Sequence, residues 1–256
     1  MNQAQGSTTA AHSPGWRRVL AQTRFETAAV MRNGEQLLLT VILPVIALVV
    51  MTKTSFIPLP EPRPAAALAG ALALAVAAQF TSQAISLAFD RRWGVLRLLA
   101  TTPLGARGLL TGRLGAVLGV LTVQVLVLVL AAVALGWRPG SVDLLLVAGA
   151  ALLLLLGAAA FVALAFAMGG ALRTEAVLAG ANLLWILLAA GGGLVVPADS
   201  LPQPADTLVR LLPSGALGEG LRSAVTGSGL DLFALAVLTI WVAVGTRLAT
   251  RVFRWD

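Results

Sequence analysis

The 256-residue chain is 58% apolar and only 11% charged, where ordinary soluble domains carry roughly 25% charge, so it reads as an integral membrane protein with room for one membrane domain and no sizeable soluble one. The lack of any cysteine excludes disulfides, thiol catalysis and cysteine-ligated metals. The formal charge of +7 comes without a run of five or six basic residues, so it is read as lipid-facing anchors with no nucleic-acid partner.

Residues 1–14 are polar and small, a composition that does not order by itself, and the first 36 residues hold no apolar signal-peptide core. From Trp16 to Asn33 a helical pattern begins. Trp16, Val19, Leu20, Thr23, Thr27, Val30 and Met31 share one face, while Arg17, Arg18, Gln22, Arg24 and Arg32 lie mostly on the other and Phe25 breaks the pattern. An apolar face backed by arginines suits a helix lying in the membrane interface. Residues 1–36 are therefore expected to form a cytoplasmic tail and an interfacial helix, and 37–256 a membrane domain.

Six apolar segments follow, each near the roughly 20 residues that a 30 Å hydrocarbon core requires: Leu37 to Ile57, Ala65 to Phe89, Leu114 to Trp137, Leu144 to Met168, Ala176 to Val196 and Leu232 to Ala249. Of the eighteen Lys and Arg residues, all but Lys53, Arg63, Arg138, Arg210 and Arg222 then fall on the side that carries both termini. Basic residues beside spans resist translocation, so both termini are expected in the cytoplasm.

The longest charged interruption is Phe89 to Arg113, FDRRWGVLRLLATTPLGARGLLTGR. Trp93, Leu96, Leu99 and Ala100 fall on one side of a short helix, with Arg91, Arg92 and Arg97 elsewhere around it, and Thr102-Pro103 stops it. Asp90, Arg91 and Arg92 read either as snorkelling anchors at a span end or as a docking surface, and the helical pattern beyond them favours docking. The connections on the other side are unequal. Thr52 to Pro64 holds four prolines and is extended, Arg138 to Asp143 is a tight turn, and Pro197 to Asp231 is apolar enough for two short helices broken at Pro213, dipping back into the outer leaflet under protein cover.

The missing chemistry is informative. The only lysine, Lys53, lies in VVMTKTS with no glycine-rich turn, so no P-loop is present. The only histidine, His12, lies in the tail, so histidine triads and zinc or haem sites have no ligands within the spans. Aspartates occur singly, without the paired acidic motifs that hold magnesium on a diphosphate. No carboxylate sits at mid-span, where proton or sodium coupling would place one. Any work done on a solute must draw its energy from another protein.

Polar residues within the spans are few. Gln79, Gln83 and Ser86 line one face of the second span, Thr122 and Gln124 lie in the third and Asn182 in the fifth. They read as a substrate path or, equally, as interhelical hydrogen bonding. Gly108 with Gly112 and Gly115 with Gly119 form GxxxG pairs that permit close helix contact, in a chain with 26 glycines. Gly191-Gly192-Gly193 reads as a hinge or a frayed helix end.

Three stretches together resemble the ABC-2 type permeases, the membrane subunits of bacterial ABC exporters: RNGEQLLLTVILPV (Arg32 to Val45), FDRRWGVLRLLATTPLGARGLLTGR (Phe89 to Arg113) and LPQPADTLVRLLPSGALGEGLRSAV (Leu201 to Val225). The second, a charged DRR-W-G-L-L-TPL pattern after the second span, is the most specific. The resemblance implies an all-α membrane protein with six transmembrane helices, an interfacial helix at Trp16 to Asn33, a cytoplasmic coupling helix at Asp90 to Thr101 and outer re-entrant helices around Pro213. It implies a bacterial cytoplasmic membrane, a second permease copy or a paralogue as dimer partner, and a separate ATPase subunit that binds ATP and magnesium while this chain binds no cofactor. It also implies export of a hydrophobic or amphiphilic solute by alternating access. Two departures stand out. The loop between the fourth and fifth spans has only Arg173 and Glu175 as charges, which puts a second docking contact in doubt, and the Pro58 to Pro64 linker has no counterpart in the pattern. A non-transporting scaffold and a secondary carrier remain the rival readings.

Overall fold

The computed structural model describes residues 15–32, 34–101, 105–140 and 143–252. The tail at 1–14 with His12, the Thr102-Pro103 stop, Asn33 and Arg254 lie outside the described residues, as do the side chains of Met31, Leu99 and Ala100. All regular structure among the described residues is helical: α1 (Gly15–Arg32), α2 (Gly34–Lys53), α3 (Arg63–Arg92), α4 (Val95–Ala100), α5 (Gly105–Ala134), α6 (Leu144–Ala171), α7 (Thr174–Gly191), a single 3-10 turn (Ala198–Ser200), α8 (Ala205–Leu211), α9 (Pro213–Thr226) and α10 (Leu232–Val252). Five helices are long and apolar enough to cross a membrane, those at Arg63–Arg92, Gly108–Ala134, Leu144–Ala171, Thr174–Gly191 and Leu232–Val252. The first expected span contributes a shorter apolar helical stretch, Thr40–Lys53.

The bundle is organised around α3, which packs against α2, α5, α6, α7 and α9. Its apolar window is 83% buried, against 22–39% in the other four long helices. Alanine accounts for this. Ala65, Ala66, Ala67, Ala69, Ala71 and Ala73 are all fully buried, and side chains this small let neighbouring backbones come close, which drives helix association where no hydrophobic effect separates helix from lipid. The outer helices instead expose Leu126, Leu130, Ile186, Leu187 and Ile240, as a helix bordered by lipid on one side requires.

Several boundaries differ from the sequence expectations, and α5 begins at Gly105, inside the expected charged interruption, where the third span was expected from Leu114. Helix α2 stops at Lys53, short of Ile57, and the Arg63 guanidinium binds its last turn and the segment that follows: Nε donates to Met51 O at 3.0 Å and Nη2 to Thr54 O and to Ile57 O. Helix α7 stops at Gly191, short of Val196. There Gly193 takes φ of +81° and its missing Cβ leaves room for Gly215 of α9. The segment Asp90 to Thr101 is not one helix. Helix α3 runs on through Arg92, Gly94 turns the chain at φ of +75°, and only Val95–Ala100 forms α4. Trp93 therefore does not share a face with Leu96; it stacks on Phe89 with ring centroids 5.0 Å apart and stays exposed, while Leu96 is buried.

At the other end of α3 the expected break occurs at Pro213, whose fixed φ suits the first position of α9. Asp143 caps α6 by accepting from the Leu145 N–H at 2.8 Å.

Candidate functional site

The end of the bundle that carries α4 is held by one buried arginine. Arg113, on α5, is 2% exposed. Its Nη2 pairs with Asp90 of α3, its Nη1 donates to Ser86 Oγ at 3.3 Å, its Nε lies 3.4 Å from Glu26 Oε1 of α1, and its guanidinium sits 5.7 Å from the Phe166 ring of α6. Four helices thus meet on one cation. A buried arginine must find carboxylates or hydrogen-bond acceptors, since its charge cannot be left without compensation in a low-dielectric site. Sequence reading counted Arg113 among the loop anchors and passed over it and Glu26, because the partners lie 23 and 87 residues away along the chain.

Helix α1 reaches this cluster by packing along α5. A Cβ on Gly112 would meet Gln22, one on Gly115 would meet Thr23 and one on Gly119 would touch Thr27. Thr23 Oγ1 also donates to Gly112 O at 3.1 Å. Gly112, Gly115 and Gly119 of the GxxxG pairs therefore seat α1 within the same chain. The packed face of α1 is partly polar and includes Gln22 and Glu26, with Gln22 Nε2 donating to Glu26 Oε1 at 2.9 Å. Trp16, Leu20 and Phe25 stay exposed. Among the arginines of α1, Arg17 lies over the Trp16 ring at 5.3 Å, Arg18 is half-buried, and Arg24 and Arg32 are exposed.

The residues singled out for docking divide into two groups. Arg91 is half-buried and donates to Gly170 O at 2.6 Å and to Leu172 O, so it caps the end of α6. Arg92 pairs with Glu175 of α7 at 2.8 Å, and Thr174 Oγ1 donates to Ala88 O at 3.3 Å. These contacts tie α3 to the α6–α7 turn and use the one acidic residue of that short loop. Trp93, Arg97 and Leu98 form the outward part of the segment: Trp93 and Leu98 are each 70% exposed, and Arg97 is exposed with them.

The polar strip mostly joins helices. Gln79 Nε2 approaches Gln124 Oε1 at 3.4 Å, and Gln124 Nε2 donates to Thr40 O at 2.7 Å, which links α3, α5 and α2. Gln83 is buried on the same face and its Oε1 has no partner. Ser86 belongs to the Arg113 cluster. Asn182 is not brought to the strip; it is exposed on α7 and donates to Leu178 O of its own helix. Thr122 likewise faces outward and bonds Leu118 O.

The opposite end of α3 holds a second buried arginine that sequence reading placed in an outer loop. Arg222 of α9 is 3% exposed, pairs with Glu219 at 2.8 Å, and donates to Gly193 O at 2.6 Å and Leu194 O at 3.3 Å. Glu219 accepts from Ala198 N–H at 2.6 Å. Nearby Arg210 pairs with Asp199.

An all-helical bundle with an alanine-rich central helix, a short exposed helix at the end of it and a broken helix pair at the other end fits a membrane translocation subunit. No curated protein matches the chain. The sequence model of a family described as ABC-2 family transporter protein matches residues 55–250, which takes in α3 through nearly all of α10. With most of its length matched, the chain belongs to the ABC-2 family of transporter proteins.

Proposed function

We propose that this permease moves a hydrophobic or amphiphilic solute out of a bacterial cell under the drive of a separate ATPase subunit, which binds the ATP and magnesium and docks on the α4 segment. The observation that carries the reading is mechanical. Arg97 and Leu98 on the short helix α4, and Trp93 at the end of α3 across one glycine turn from it, are exposed together, and α3 touches five other helices. A push on α4 is therefore delivered to the helix on which the rest is assembled. Large apolar exposure beside a cation is the composition of a protein-binding patch.

In this reading α2 supplies a first crossing to make six, α1 lies in the membrane interface with its arginines toward lipid head groups, and both termini are cytoplasmic, as the distribution of basic residues favours. The working unit is a dimer of this chain or a pair with a paralogue. Gln83, with an unpartnered oxygen on the face that carries Gln79 and Ser86, is the strip residue best able to meet a polar group of the solute.

The test is co-purification of the ATPase with Trp93→Ala/Arg97→Glu. Arg91 and Arg92 are unsuitable, because their loss also releases α6 and α7. The double variant should insert at wild-type yield and lose most of the ATPase. Retention of the partner at full stoichiometry would refute docking on α4.

A further inference from the structure

A cavity of about 610 Å³ opens between α3, α5, α6 and the end of α9, at the end of α3 remote from α4. Its walls are aliphatic: Leu68 and Leu72 from α3, Val125 and Val129 from α5, and Ala150 and Leu154 from α6. Its rim is polar and aromatic, formed by Trp137, Arg138, Asp143 and Thr226. The volume lies in the range of about 300–1,000 Å³ typical of small-molecule sites. A tryptophan and an arginine at the mouth of an aliphatic slot reproduce the side-chain order of a membrane interface, ring at the boundary and cation in the head-group layer.

The charges at the rim are not equivalent. The Asp143 carboxylate is engaged as the cap of α6, at the helix end whose dipole favours an anion. Arg138 is exposed and makes no ion pair or hydrogen bond among the described residues. The neighbouring polar cavity, about 680 Å³ and sharing Thr226, differs in this respect. Its two arginines, Arg210 and Arg222, are both paired with carboxylates. Of the two chambers, only the aliphatic one offers a cation without a partner among the described residues.

We infer that the aliphatic cavity binds a single-chain amphiphile with an anionic head group, the chain lying among Leu72, Val129 and Leu154 and the head group at Arg138. This goes beyond the ATPase-driven reading and is tested without the ATPase, so its failure would leave that reading in place.

The experiment titrates the purified full chain, in nanodiscs of zwitterionic lipid, with lysophosphatidylglycerol and with lysophosphatidylcholine, and counts bound molecules by native mass spectrometry. One saturable site with at least fivefold preference for the anionic probe is expected. Val129→Trp, which fills the chamber, should weaken both probes at least tenfold, and Arg138→Gln should abolish the preference while keeping the chain bound. Ala150→Phe fills the chamber from the other wall and serves if Val129→Trp is poorly folded. Non-saturable uptake, equal affinity for the two probes, or binding untouched by both filling variants would overturn the assignment. An anionic lysolipid retained by the protein as purified would make the occupant a resident lipid. An empty site that fills only on titration would point to the transported solute, and both results support the site.

Discussion

The two ends of α3 each bury an arginine, and they use it differently. Arg113 bridges carboxylates that stand on two other helices, Asp90 on α3 and Glu26 on α1, and adds a hydroxyl on α3 and a ring on α6. Arg222 takes its carboxylate from three residues earlier on its own helix and gives its remaining donors to the backbone carbonyls of Gly193 and Leu194. The first is a junction of separate elements held by side chains that can part and re-form. The second pins one loop to one helix through backbone acceptors that do not move independently.

The largest effects should come from removing the arginines: breaking a fully buried ion pair costs about 3–5 kcal/mol, and here the arginines are buried while their carboxylates are partly exposed, which places the cost at or below the lower end of that range. Arg113→Met and Arg222→Met are both expected to lower thermal stability strongly in detergent. They should differ in rescue. Adding Asp90→Asn and Glu26→Gln to Arg113→Met removes the stranded charges and should recover most of the loss. Adding Glu219→Gln to Arg222→Met should recover less than half, since Gly193 and Leu194 still lack donors. Equal rescue at both ends would erase the distinction.

A smaller effect separates the glycines. A Cβ on Gly218 would fall 2.2 Å from Gly193 O, a backbone atom, whereas one on Gly115 would fall 2.6 Å from the Thr23 hydroxyl, a side-chain atom of the separate helix α1. Gly218→Ala is expected to cost about 1–3 kcal/mol, the usual range for overpacking, and Gly115→Ala clearly less. The reverse order of melting temperatures would mean that α1 is seated more rigidly than α9.

The smallest effects lie between the two ends. Gln124→Leu removes the donor to Thr40 O and should cost about 1 kcal/mol. Asn182→Leu, on an exposed face and bonded only within its own helix, should stay within about 0.5 kcal/mol. A solute-dependent change in ATPase rate for Asn182→Leu would place α7 on the path after all.

Much of the scaffold was legible before any coordinates. Proline at 213 and the apolar runs beginning at Leu144 and Leu232 each act through their immediate neighbours, by fixing φ or by length alone, and each marks a boundary found in the fold. Boundaries set by distant residues were misread. Past Lys53, Arg63 reaches back to hold Met51 O and the non-helical Thr54 and Ile57 carbonyls, and past Gly191 the glycine at 193 meets the glycine at 215. The docking group divided for the same reason: Arg91 and Arg97 are alike in the sequence, but Arg91 has the end of α6 within reach and Arg97 is exposed.

What the sequence determined by itself is the material of the protein: helices of spanning length and a basic segment directly after the one at Arg63–Arg92. Hydropathy and local backbone chemistry are properties of short stretches, so they are written along the chain. Which arginine is buried, which glycine admits a neighbour and where an aliphatic chamber opens were decided only by the tertiary structure. Each depends on side chains brought together across dozens of residues, and electrostatic compensation and close packing act over ångströms in space.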